Sequence, residues 1–126
     1  MNGMREIIQS KLDEIENIEC GVPIPDDIVE EGKTYFGYEI QEDYLNSDFD
    51  KNYTMQVNIT GRIVRKNNSL EDTLKIVDEA ISNLKIKLKD LNFKYNFKDI
   101  TLENNIRKIL VTGNTKYNEM NKKFIV

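Results

Sequence analysis

Five carboxylates, Glu39, Glu42, Asp43, Asp48 and Asp50, crowd positions 39–50 and are the side chains best placed by sequence to do chemistry. Such a cluster could hold a hard cation such as Ca²⁺ or Mg²⁺, or supply an acid/base pair. It lacks the D-x-D-x-D-G spacing and closing glutamate of an EF-hand loop, and carboxylates scattered through polar sequence have no apolar pocket to raise a pKa. A solvated acidic loop is the reading its spacing favours. Histidine is absent and Cys20 is the single cysteine. The usual base near neutral pH, Ser-His or Cys-His nucleophiles, a four-ligand structural zinc and an internal disulfide all drop out. The string Val111-Thr112-Gly113-Asn114-Thr115-Lys116 resembles a phosphate loop only superficially, because the first glycine and the Gly-Lys pair are missing. Lys94 and Lys98 interleave with Tyr95 and Phe97 as in a nucleic-acid stacking platform, but the net charge is −4. The alternation of Phe93, Tyr95 and Phe97 fits core-facing strand residues instead. These residue types point away from an enzyme, a metal or cofactor site, and sequence-specific nucleic-acid binding.

The elements that must position these residues can be read from periodicity. Ile8, Leu12, Ile15 and Ile18 recur at helical spacing and predict an N-terminal helix over Met4–Ile18, ended by Cys20-Gly21. Pro23 and Pro25 enforce an extended stretch. Tyr35, Phe36, Tyr38 and Ile40 predict a strand over Thr34–Ile40, with Gly37 marking a bulge or a close backbone approach. Gln41–Asn52 reads as a long acidic loop. Apolar and polar residues alternate from Tyr53 to Ile63 and predict a long half-buried strand over Tyr53–Arg65 whose outer end could pair elsewhere.

Ser69 with Asp72 three residues on predicts a helix start, and Leu70, Leu74, Val77, Ile81, Leu84, Leu88 and Leu91 predict one long helix across the sheet. Asn92 is its expected C′ residue, after which the chain turns into Phe93–Phe97. Two further strands are expected near Asp99–Glu103 and Ile106–Thr112, with the last ended by Gly113-Asn114. Residues 115–126 read as a polar tail with an apolar end, Phe124-Ile125-Val126. The expected fold is a single α+β domain: an antiparallel sheet of about four strands, a long helix packed on one face, and the N-terminal helix of residues 1–20.

At 126 residues, with 39% hydrophobic and 32% charged side chains, the chain is expected to be one soluble globular domain. No stretch has the length of apolar sequence that a membrane helix needs, so a cytoplasmic protein is expected unless a larger assembly carries it out. Charge is divided along the chain. Residues 1–52 hold 4 basic and 14 acidic side chains, and residues 53–126 hold 14 basic and 8 acidic ones. Facing different directions, these halves favour head-to-tail contact between copies; folded together, they partly cancel.

Four strings carry a resemblance to a known family: Tyr53-Thr-Met-Gln-Val-Asn-Ile-Thr-Gly-Arg-Ile63, Leu74-Lys-Ile-Val-Asp-Glu-Ala80, Leu88-Lys-Asp-Leu-Asn-Phe93, and Val111-Thr-Gly113 with Tyr117-Asn118. Over about Tyr35–Asn118 the chain resembles small phage tail terminator and tail completion proteins of Gram-positive bacteria. The resemblance implies a hexameric ring at the head-proximal end of a phage tail tube or of a headless, phage-tail-like bacteriocin. It also implies partners among tail tube protein, sheath and head-completion proteins, with no membrane. The candidate assembly interface is Glu42, Asp43, Asp48 and Asp50 of the acidic loop, Arg62 and Arg65 of the long strand, and Phe124, Ile125 and Val126 of the tail. A head–tail connector component and a small monomeric binding or immunity module are the alternative readings.

Overall fold

The computed structural model describes residues 3–21, 30–44 and 54–125. Along them run α1 (Met4–Asp13), β1 (Ile18–Gly21), β2 (Thr34–Tyr44), β3 (Thr54–Lys66), α2 (Leu70–Asp90), β4 (Lys94–Glu103), β5 (Ile106–Asn118) and β6 (Lys123–Ile125).

The long helix α2 folds as its pattern dictates. Ser69 Oγ accepts from the Asp72 amide and starts α2, and its stripe Val77, Ala80, Leu84 and Leu88 is buried. Leu91 caps the helix C-terminus, and Asn92 follows at φ +61°. The Asn92 and Phe93 amides return to the carbonyls of Lys89 and Leu88, a Schellman closure that satisfies the last turn. Thr73 Oγ1 donates to the carbonyls of Ser69 and Asn105, tying the start of α2 to the β4–β5 turn. That turn is Asn104-Asn105, both left-handed at φ +51° and +61°, the conformation a two-residue hairpin needs.

The sheet differs from the expected one. It has six strands in the order β1-β2-β3-β5-β4, with β6 added beside the end of β5. β1 and β2 pair in parallel, so the sheet is mixed; the expected antiparallel sheet of about four strands is overturned. The helix predicted over Met4–Ile18 stops at Asp13. Asn17 takes a left-handed φ of +65° and swings Ile18–Gly21 into the sheet as an edge strand. β2 continues to Tyr44 through residues expected to begin the loop. Gly113 lies inside β5 and not at its end, and part of the expected tail folds as β6.

Register sorts the side chains by face. Phe36, Tyr38, Met55, Val57, Ile59, Ile63, Ile109, Val111 and Tyr117 share one face, and with Met4, Ile8, Leu12 and Ile15 of α1 and the buried stripe of α2 they form a single core. Both helices therefore contribute to the same core, and the other face of the sheet carries mainly polar side chains.

Candidate assembly surfaces

The expected interface residues do not converge. Arg62 and Arg65 lie three positions apart on β3, so alternation sends them to opposite faces. Arg62 is exposed on the polar face, whereas Arg65 is buried on the helix side. Glu42 lies on the helix side of β2 and pairs with Arg5 of α1, while Asp43 is on the polar face. Phe124 packs into its own domain, with ring centroids 4.9 Å from Tyr117 and 6.3 Å from Phe93. Ile125, next to it, is exposed on the other side. Asp48, Asp50 and Val126 lie outside the described residues.

The long strand cannot supply an outer pairing edge. Every residue of β3 pairs with β5, and Met55–Arg65 pair with β2 as well. The open edges belong to other strands. β1 covers β2 only from Thr34 to Gly37, so among the described residues Tyr38–Tyr44 have a partner on one side alone. This edge bears Glu39, Glu42 and Asp43, and the Arg5 side chain donates to the Ile40 carbonyl there at 3.0 Å. At the opposite side of the sheet β4 pairs only with β5 among the described residues. Lys94 and Lys98 lie on its polar face, and its register shifts between Asp99 and Thr101. Tyr95, Ile100 and Leu102 of this strand are exposed.

The polar face is charged unevenly. Glu19, Glu39 and Asp43 stand on the β1–β2 side, and Lys94, Lys98 and Lys116 on the β5–β4 side. Between them lies a row of uncharged amides and hydroxyls: Asn58 and Asn114 face each other, as do Thr60 and Thr112. A shallow depression of about 440 Å³ opens over this row, between Gln41 and Lys94.

On the helix side, β3 and β5 set two arginines opposite each other, Arg65 and Arg107. Arg107 is held by Asp78 at 2.7 Å and Asp99 at 2.9 Å, and the hydrogen bond it donates to Asp99 raises its pKa. Arg65 is 8% exposed and donates to Thr34 Oγ1 at 2.7 Å and Asn67 Oδ1 at 3.0 Å. Burial lowers its pKa while nearby Asp72 opposes the shift. Burial also pushes the Cys20 thiol up to about 12, aided by Asp13, and the Tyr38 hydroxyl up to about 12. A thiol held protonated in this way is a poor nucleophile. Among the described residues no three His, Cys, Asp or Glu side chains gather closely enough to hold a metal ion, and no helix is long and apolar enough to cross a membrane.

The acidic net charge and the alternation of Phe93, Tyr95 and Phe97 read Lys94 and Lys98 as solvated residues flanking core aromatics; Tyr95 is instead exposed, and nothing local reveals that β4 borders the sheet. Comparison with protein-family models, curated proteins and solved structures found no match.

Proposed function

We propose that this chain is a structural ring subunit at the head-proximal end of a phage or phage-like tail tube, where it ends tube growth and offers a joining surface. The observation that carries the reading is the pair of strand edges, on opposite sides of one sheet, that have no further partner among the described residues: an acidic one on β2 and a lysine-bearing one on β4. β2 and β4 run in opposite directions, since three antiparallel pairings separate them. Two copies set side by side would therefore meet antiparallel, Lys94 and Lys98 of one against Glu39 and Asp43 of the next. The exposed Arg5 side chain would leave the Ile40 carbonyl to the neighbour. Repeated head-to-tail contacts that rotate and close make a ring, and the polar face is left free for the tube or a joining protein.

The sequence strings that resemble tail terminators fall on β3, α2, the α2–β4 turn and β5, the elements that build the sheet and its helix. Partners in this reading are further copies of the chain, the tail tube protein, and sheath or head-completion proteins. Gold-labelled antibody against a tagged chain, imaged on particles induced in the source strain, tests it. Label at the tube end away from the baseplate supports the reading. Unlabelled particles beside soluble tagged protein reject it and leave a one-to-one binding module.

A further inference from the structure

A cavity of about 580 Å³ opens between the α1–β1 turn, the start of β2 and α2, within the size range of small-ligand pockets. Arg65 and Thr34 line it, both on the helix face of the sheet where their backbones pair. Arg65 is 8% exposed, and its Nε finds no protein acceptor. Its two terminal nitrogens meet only a hydroxyl and an amide oxygen, and among the described residues no carboxylate lies within ion-pair distance. A buried cation with no ion-pair partner, on which Asp72 acts only from beyond contact, is costly and attracts an anion. Arg107, one strand away, holds two carboxylates, so the sheet position does not itself deny a partner. The other cation lining the cavity, Lys33, is committed to Glu19 and Glu30 at 3.6 and 2.9 Å.

The remaining lining restricts what the anion can be. Ile18 and Ile76 supply apolar wall, and the exposed Glu16 and Glu79 stand at the rim. Two rim carboxylates repel phosphates and polyanions but attract an ammonium group. We infer that the cavity binds a small zwitterion of the aliphatic amino-acid class, with its carboxylate on the Arg65 guanidinium, its aliphatic body on Ile18 and Ile76, and its ammonium toward Glu16 and Glu79. A guanidinium fork suits a carboxylate because it can donate two parallel hydrogen bonds. This site lies apart from the strand edges and stands independently of the ring reading.

Titration of the isotope-labelled full chain, followed by NMR, tests the site with four probes: L-leucine, acetate, inorganic phosphate and n-butylamine. Leucine should produce saturable shifts at Thr34, Ile76 and the Arg65 Nε–H, acetate the same shifts more weakly, and phosphate only what matched sodium chloride produces. Butylamine should move the rim alone. Glu79→Gln, at an exposed position, should weaken leucine several-fold and leave acetate unchanged. Arg65→Lys keeps the charge without the fork and should weaken both about tenfold; if that variant fails to fold, Glu79→Gln carries the test. Absence of leucine-dependent shifts at Arg65 and Ile76, equal responses to phosphate and acetate, or leucine binding indifferent to Glu79→Gln would each overturn the assignment.

Discussion

Arg65 and Arg107 face each other across β3 and β5, yet Arg107 is clamped between Asp78 and Asp99 while Arg65 rests on Thr34 and Asn67. Two like charges on adjacent strands are tolerable when each has its own partners, and here the partners differ in kind. One arginine is neutralised by two exposed carboxylates. The other has only neutral hydrogen-bond partners and stands beside a cavity.

This difference predicts opposite sensitivities. Thr34→Val removes an acceptor from a buried guanidinium at almost constant shape and should cost about 2 kcal/mol in urea denaturation. Arg107→Met frees two exposed aspartates that water can solvate, so it should cost only about 1 kcal/mol. Added salt should shrink the Arg107 effect and leave the Thr34 effect in place. Equal losses that respond equally to salt would contradict the assignment.

Alkaline pH should weaken the fold through Cys20 and Tyr38. The folded chain retains a thiol proton that the unfolded chain releases from about 9.0 upward, because burial raises the folded pKa to about 12. The unfolded state then binds fewer protons, so stability is complete below pH 9.0 and falls as pH climbs toward 12. A slope of roughly 1 kcal/mol per pH unit is expected at the start of that window. Tyr38 extends it, its pKa also raised by burial and by the neighbouring thiol. Urea midpoints measured across this window for the wild type and Cys20→Ala should diverge, with the variant flatter.

Gly61 is the most tightly enclosed of the described glycines. A Cβ there would stand 2.5 Å from the Gly37 carbonyl oxygen, 2.7 Å from Tyr38 Cβ and 2.9 Å from Phe36 Cε1. Two of these obstacles cannot rotate away. Gly61→Ala should therefore cost about 3 kcal/mol, whereas Gly113→Ala, with its nearest neighbour at 3.1 Å, should cost about 1 kcal/mol. Thermal unfolding of both variants checks the order.

Adjacent residues of β6 should separate folding from assembly. Phe124 packs on Tyr117 and Phe93, so Phe124→Ala should lower stability by about 2 kcal/mol. Ile125 is 38% exposed, and Ile125→Ala should change stability by less than about 0.5 kcal/mol. Reduced particle assembly by a fully folded Ile125→Ala chain is the expected sign of a docking surface. Unimpaired assembly would remove Ile125 from the interface.

What the sequence made legible follows from how local each signal is. α2 carries its cap, its stripe and its C-terminal asparagine within one segment, and β3 alternates from Met55 to Ile63, so both are evident from the residues alone. β1 is not. Ile18 falls on the helical spacing of Ile8, Leu12 and Ile15, although the helix ends at Asp13 and Asn17 turns left-handed. The partner of β1 lies beyond a crossover, and parallel pairing leaves no hairpin signature. Gly113 looks like a strand end because glycine so often is one. Here it lets Phe93 and Ile59 approach, with carbons at 3.3 and 3.1 Å from a Cβ position. The candidate interface was dispersed for a related reason: residues close in sequence on a strand part to opposite faces, as Arg62 and Arg65 do, and an edge is defined only by what fails to pair with it.

The central claim is that copies join edge to edge in a ring on a tail tube. Averaged electron cryo-microscopy of the tube ends, from particles made with the wild type, a Lys94→Glu/Lys98→Glu chain, and that chain carrying Glu39→Lys and Asp43→Lys as well, tests it most directly. The account predicts a closed ring with β4 of each subunit against β2 of the next, its loss in the double variant, and its return when the charges are exchanged on both edges. A ring whose subunits meet elsewhere, unaffected by either set of substitutions, or tube ends without this chain, would contradict it.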